Sequence, residues 1–225
     1  LERLLTNDTS SRISSFQRQT ISEAEIRYVD FLIPGVLGMN MMFSALFGVG
    51  YNVVRYRKDS VLRRLSVTPL KAFEFLAAQI FSRMIILLAT AVILYVGCDL
   101  VFDFRMQGSY VDLIIVFLLG SFSLVSMSLI VASRTSSEEF ASGVLNLLSW
   151  PMMFLSGVWF SLEGVNPLVQ KISLIFPLTH LISGARMIMN DGAELSLLMP
   201  EIITMSLMSL IFLIIGSLFF RWNEK

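Results

Sequence analysis

FLIPGVLGMNMMFSALFGVGYNVV, residues 31–54, runs for 24 residues without Asp, Glu, Lys or Arg. The 17 residues that follow, RYRKDSVLRRLSVTPLK at 55–71, carry six positive charges: Arg55, Arg57, Lys58, Arg63, Arg64 and Lys71. A helix rising 1.5 Å per residue needs roughly 20 apolar residues to cross ~30 Å of hydrocarbon. The first stretch meets that length. The second fixes the direction of crossing, because Lys and Arg in short loops stay on the cytoplasmic side.

Further runs of the same kind follow. Residues 113–133, 140–162 and 202–220 are free of acidic and basic side chains over 21, 23 and 19 residues. A fifth run, 75–98, is interrupted by Arg83. Either its helix enters near Phe75 and Arg83 snorkels to the interface, or it begins at Met84 and runs past Asp99; the first is favoured. The runs are apolar on all sides, whereas barrel strands would alternate over ~10 residues. The expected fold class is therefore all-α, a polytopic membrane protein of about five spans. Composition agrees: 55% of residues are hydrophobic and only 15% charged, against ~25% in soluble proteins.

Alternation from the basic loop places 99–112 and 161–199 outside, and 134–139 and 221–225 inside. Residues 1–30 then lie outside as an extracytoplasmic segment, although they hold four arginines. An N-terminus outside without a signal sequence needs an earlier span to deliver it, so a helix upstream of Leu1 is expected. The charge total, 17 basic against 17 acidic, carries no polyanion signal, and no nucleic-acid partner is expected. One cysteine, Cys98, and one histidine, His180, exclude a cysteine cage or a multi-histidine metal site.

Three groups of residues could carry function. In the basic loop, Val61, Leu62 and Leu65 give a helix one narrow apolar face, Arg57 and Arg64 share another, and Pro69 stops it at or before Thr68. Such a loop can serve topology alone; the apolar face and Asp59 among the positives favour a docking element for a cytoplasmic partner. In the first span, Gly38, Asn40, Ser44 and Gly48 let helices approach and hydrogen-bond, which suits a dimer seam or a pathway. At the outer side, Pro167 and Pro177 each open a stretch too short to span, and Asp191-Gly192 ends the second. Together these predict a re-entrant hairpin over 163–199, with Pro177, His180 and Arg186 as candidates for an outer gate.

No G-x-x-x-x-G-K-[ST] loop is present, so ATP is not bound here in the P-loop manner. The carboxylates fall at or beyond span ends, which disfavours a proton- or ion-coupled secondary transporter. A non-transporting membrane assembly protein is the other alternative.

Four motifs in order, FLIPGVLG at 31–38 with FSALFG at 43–48, LSVTPL at 65–70, FLSGVWF at 154–160 and FPLTHL at 176–181, resemble the permease subunits of type-2 ABC exporters. The resemblance covers roughly residues 30–222. It implies six helices per permease domain, a dimer of such domains in a bacterial inner membrane, and a cytoplasmic ABC ATPase for each that binds ATP and magnesium, with no cofactor in this chain. It makes Arg57, Lys58, Asp59, Leu62, Arg63, Arg64, Leu65, Thr68 and Pro69 the ATPase-coupling residues. Where the family often has Glu-Gly this chain has Asp59-Ser60, which leaves the turn there in question.

Overall fold

The structure is a computed structural model, and it describes residues 28–61, 64, 67–69, 72–104, 106–133, 135, 137–162 and 164–219. Among these the secondary structure is entirely helical. α1 (Tyr28–Ala45) passes through a π-helical turn (Leu46–Tyr51) into α2 (Asn52–Lys58), so that one continuous rod reaches from Tyr28 to Lys58. α3 (Ala72–Phe102), α4 (Tyr110–Ala132), α5 (Glu138–Leu155), α6 (Pro167–Ser173), α7 (Pro177–Met189) and α8 (Met199–Phe219) follow. The rod, α3, α4 and α8 are each long and apolar enough to cross a membrane. α5 has 18 residues, a rise of roughly 27 Å, and is the more polar for Glu138, Glu139, Ser142, Asn146 and Ser149.

α4 is the centre of the packing. It buries residues along most of its length, including Val116, Gly120, Leu124 and Leu129, and lies most extensively against α8. Small residues set these close approaches, as expected where lipid removes the hydrophobic drive between helices. A Cβ on Gly120 would sit 2.4 Å from the Leu181 side chain of α7, and one on Gly38 of α1 2.7 Å from Ile182. α7 is thus wedged between α1 and α4, buried on nearly every side. α3 and α8, by contrast, leave most of their surface uncovered, with Phe81, Ile85, Ile93, Ile203, Leu210 and Leu218 exposed in keeping with lipid contact.

Several expectations change. α5 stops at Leu155, short of the charge-free run that continues to Leu162, because Ser156 is followed by Gly157 at φ +72, outside the helical region. Arg55, Arg57 and Lys58 belong to the end of the first rod and not to a separate loop helix. Arg57 and Arg64 do not share a helical face, since Ser60 at φ +58 breaks the chain direction between them. Ser60 itself holds the left-handed conformation that glycine adopts most readily.

Candidate functional site

Helix ends leave carbonyls without intrahelical donors, and in a membrane each must find another. At the basic end Arg57 does this work for α4. Its Nη1 donates to the carbonyls of Ala132 and Thr135 at 3.0 and 2.7 Å, and its Nη2 to that of Ser133 at 2.9 Å. Beside it, Tyr51 donates its hydroxyl to Glu138 at 2.6 Å and Lys58 pairs with the same carboxylate at 3.3 Å. Glu138 stands in the first turn of α5, where Ser137 caps the helix by accepting from the Phe140 amide. The Tyr51 hydroxyl first, then the Lys58 ammonium, hold the Glu138 carboxyl below the usual carboxylate range. The first rod, α4 and α5 are therefore tied into one block. Arg55 and Asp59 add a pair at 3.8 Å that is more than half exposed and contributes little.

The opposite end uses the same device differently. Pro34 inside α1 has no N–H to give the Asp30 carbonyl, and Asn190 at the end of α7 donates to that carbonyl at 3.2 Å. Arg186 donates to the carbonyls of Phe31 and Gly157 at 3.2 and 3.0 Å, with its guanidinium carbon 3.7 Å from the centre of the Phe31 ring. These groups edge a cavity of about 460 Å³ whose walls include Ser156, Thr179, Ser183 and Asp191. The buried Nε of Arg186 has no hydrogen-bond partner.

α6 and α7 meet at 95°. The bend is stapled by α7 reaching back to the last carbonyls of α6: Thr179 donates to Ser173 at 2.6 Å, and His180 Nε2 lies 3.0 Å from the Leu174 oxygen. Thr179 also reaches Ser156 at 3.0 Å. Both helices start where the sequence placed them, with proline at the first position.

A family model described as ABC-2 family transporter protein matches residues 2–218. The chain belongs to the ABC-2 transporter family. Among curated proteins it is 26% identical over 183 residues to the inner membrane transport permease YhhJ of Escherichia coli (strain K12), covering 81% of this chain and 49% of that one. It is 21% identical to the probable multidrug ABC transporter permease YbhR of the same organism, over 76% of this chain and 46% of that one. Nodulation protein J of Sinorhizobium fredii (strain NBRC 101917 / NGR234) is 26% identical over 74% of this chain and 63% of its own. The chain spans about half the length of YhhJ and YbhR.

Within this ABC-2 chain the expected site residues scatter. Lys58, Asp59, Arg64, Thr68 and Pro69 lie at the basic end, and Leu62, Arg63 and Leu65 fall outside the described residues. Arg57 turns inward onto α4. Asn40, Ser44 and Gly48 are half-buried on one stripe of the first rod, whereas Gly38 is buried against Ile182 and Leu178 of α7. Pro177 is buried at the start of α7, and His180, only 9% exposed, serves the bend and not polar surroundings. Sequence reading missed Tyr51 and Glu138, whose meeting depends on helix register. It also misplaced Arg83. That side chain does not snorkel; its Nε donates at 2.9 Å to the Ser44 carbonyl in the middle of the first rod.

Proposed function

We propose that this chain is the membrane part of a permease that exports an apolar or amphipathic substrate from the cytoplasm by alternating access. ATP hydrolysis, with magnesium, occurs on a cytoplasmic ABC ATPase, and a second permease subunit completes the pathway as a homo- or heterodimer. The basic end faces the cytoplasm of the bacterial inner membrane, and the cavity beside Arg186 opens on the outer side. One observation carries this reading: the Arg57 contacts join the segment that leads into the basic loop to the end of α4 and the neighbourhood of α5. A push delivered by a docked ATPase at Lys58, Asp59 and the residues up to Pro69 then reaches the first rod, α4 and α5 together. The left-handed Ser60 supports it by turning the chain out of the rod at this point. The relative whose name includes multidrug transport supports a cargo of this chemical kind.

The test is charge reversal in the loop. In the full-length permease reconstituted with its ATPase, the double variant Arg63→Glu with Arg64→Glu is expected to insert and fold normally yet lose transport and ATPase stimulation. Unchanged transport and stimulation in that variant would remove the coupling role.

A further inference from the structure

Arg83 lies 11 residues into the 31-residue α3, about 17 Å along its axis, well away from either end. A charge at that depth is costly, and intramembrane cations elsewhere pair with acidic groups or backbone carbonyls or face a water-filled route. Here the guanidinium bonds only a neutral acceptor, the Ser44 carbonyl, through Nε and Nη2. No carboxylate among the described residues pairs with it. The nearest acidic residues along α3, Glu74 and Asp99, stand roughly 14 and 24 Å away in axial rise. Gly48 makes the space: a Cβ there would fall 1.8 Å from the guanidinium carbon. The Ser44 carbonyl lies just before the π-helical turn, where i→i+4 bonding gives way and an added donor is useful.

A structural role at the π turn needs a donor but not a full charge. The charge itself points elsewhere. Arg83 is half-buried, so Nη1 stays available, and it borders the half-open stripe of the first rod that holds Asn40, Ser44, Phe43 and Phe47, the two rings stacked at 6.1 Å. A cationic fork beside flat aromatic surface is matched by an amphipath with a phosphate or carboxylate group. We infer that Arg83 binds the anionic group of an amphipathic substrate as it passes the seam between the first rod and α3. The inference rests on the transport function proposed above and narrows its cargo. The headgroup of a resident lipid sits at the bilayer interface, roughly 15 Å from the midplane, so an anion at this depth belongs to cargo in transit.

The experiment measures equilibrium binding to the full-length protein in phosphatidylcholine nanodiscs, with dodecyl phosphate as the anionic probe and dodecyl maltoside as the neutral one. Arg83→Gln keeps N–H donors for the Ser44 carbonyl and removes the charge; Arg83→Lys keeps the charge. Dodecyl phosphate affinity is expected to fall at least tenfold in R83Q and to recover in part in R83K, with dodecyl maltoside unchanged in both. Asn40→Asp, one turn from Ser44 on the same stripe, supplies a built-in counter-charge and is expected to suppress dodecyl phosphate binding tenfold even if R83Q folds poorly. Equal loss of both probes in R83Q, or no loss of dodecyl phosphate in R83Q and N40D, overturns the inference. Displacement of dodecyl phosphate by phosphatidylglycerol placed in the nanodisc also overturns it, because the site would then hold resident lipid. The binding pattern requires no ATPase. If it holds while wild-type protein fails to couple to any ATPase, the transport function fails and the anion site stands.

Discussion

Arg57 and Arg186 perform the same chemistry at opposite ends of the helices, and their settings differ. Each gives its guanidinium to backbone carbonyls that a helix end or its neighbourhood exposes. Around Arg57, whose own Nε is buried without a hydrogen-bond partner just as that of Arg186 is, the neighbouring side chains are paired with one another: Tyr51 and Lys58 close on Glu138, and Ser137 caps α5. Around Arg186 they are not. The Asn190 side-chain oxygen is buried without a partner, and the walls of the cavity leave polar surface open. A cluster whose side chains pair with one another across three helices favours one arrangement, so the basic end moves as a block. A partly matched one has something to gain from rearranging, and that is where a gate is expected. Within the outer end the α6–α7 bend is itself stapled by Thr179 and His180, so the hairpin shifts as a unit.

The sharpest way to break the comparison is to remove the inner clamp. Arg57→Ala takes away three charge-assisted hydrogen bonds and is expected to destabilise the protein by about 2–3 kcal/mol, given ~1.5–3 for bonds to charged groups partly offset by water at the helix end. Thermal unfolding in detergent should show the loss, and Arg57→Lys should restore only part of it because an ammonium cannot fork across adjacent carbonyls. Arg186→Gln is expected to cost less, about 1 kcal/mol, since an amide keeps a donor and only two carbonyl bonds are at stake instead of three. Its larger effect should be on labelling: a cysteine at Ser161 should react faster with an impermeant thiol reagent in the variant. Equal destabilisation by Arg57→Ala and Arg186→Gln would erase the distinction between the two ends.

The smallest expected effect is on pH dependence. Glu138 is held below the ordinary carboxylate range, so its contribution is complete above the unfolded value near ~4.3 and is lost as pH falls through the lower folded value. Stability should be flat from neutral pH to about 5 and should decline below about 4, and Glu138→Gln should remove part of that decline. A Glu138 contribution that faded between pH 8 and 6 would mean that the Tyr51 and Lys58 contacts do not hold in solution.

Much of this architecture was legible because charge-free length is enough to find a span and proline is enough to start a short helix. Pro167 and Pro177 open α6 and α7. What stayed hidden was which face meets which neighbour. In spans apolar all round, periodicity carries no direction, so nothing in the sequence said that Gly48 faces Arg83 or that Gly38 faces Ile182. The π turn at Leu46–Tyr51 has no compositional mark beyond Gly48 and Gly50. One signal was readable and passed over. Pro34 four residues after Asp30 announces a carbonyl in need of a donor, and Asn190 supplies it. The contacts of Arg57 stay hidden for the opposite reason: a positive charge at a span end suits lipid, loop or partner equally, and only the fold shows it bound to the end of α4.

Paired cysteines in a Cys98→Ser background test the difference between the two ends most directly. One pair, Arg55→Cys with Glu138→Cys, bridges the first rod and α5 at the basic end, where the two charges interact; the other, Tyr28→Cys with Trp159→Cys, bridges α1 and the segment after α5, where Tyr28 bonds the Trp159 carbonyl at 3.1 Å. Each is closed with a short bis-maleimide in the full-length permease with its ATPase, and export of an amphipathic fluorescent dye is followed together with ATP hydrolysis. The inner tether should leave export within about twofold of the unlinked protein, a change under ~0.5 kcal/mol, and the outer tether should stop it. Arrest by the inner tether, or normal export with the outer tether fully closed, would show that the block and the gate have been assigned to the wrong ends.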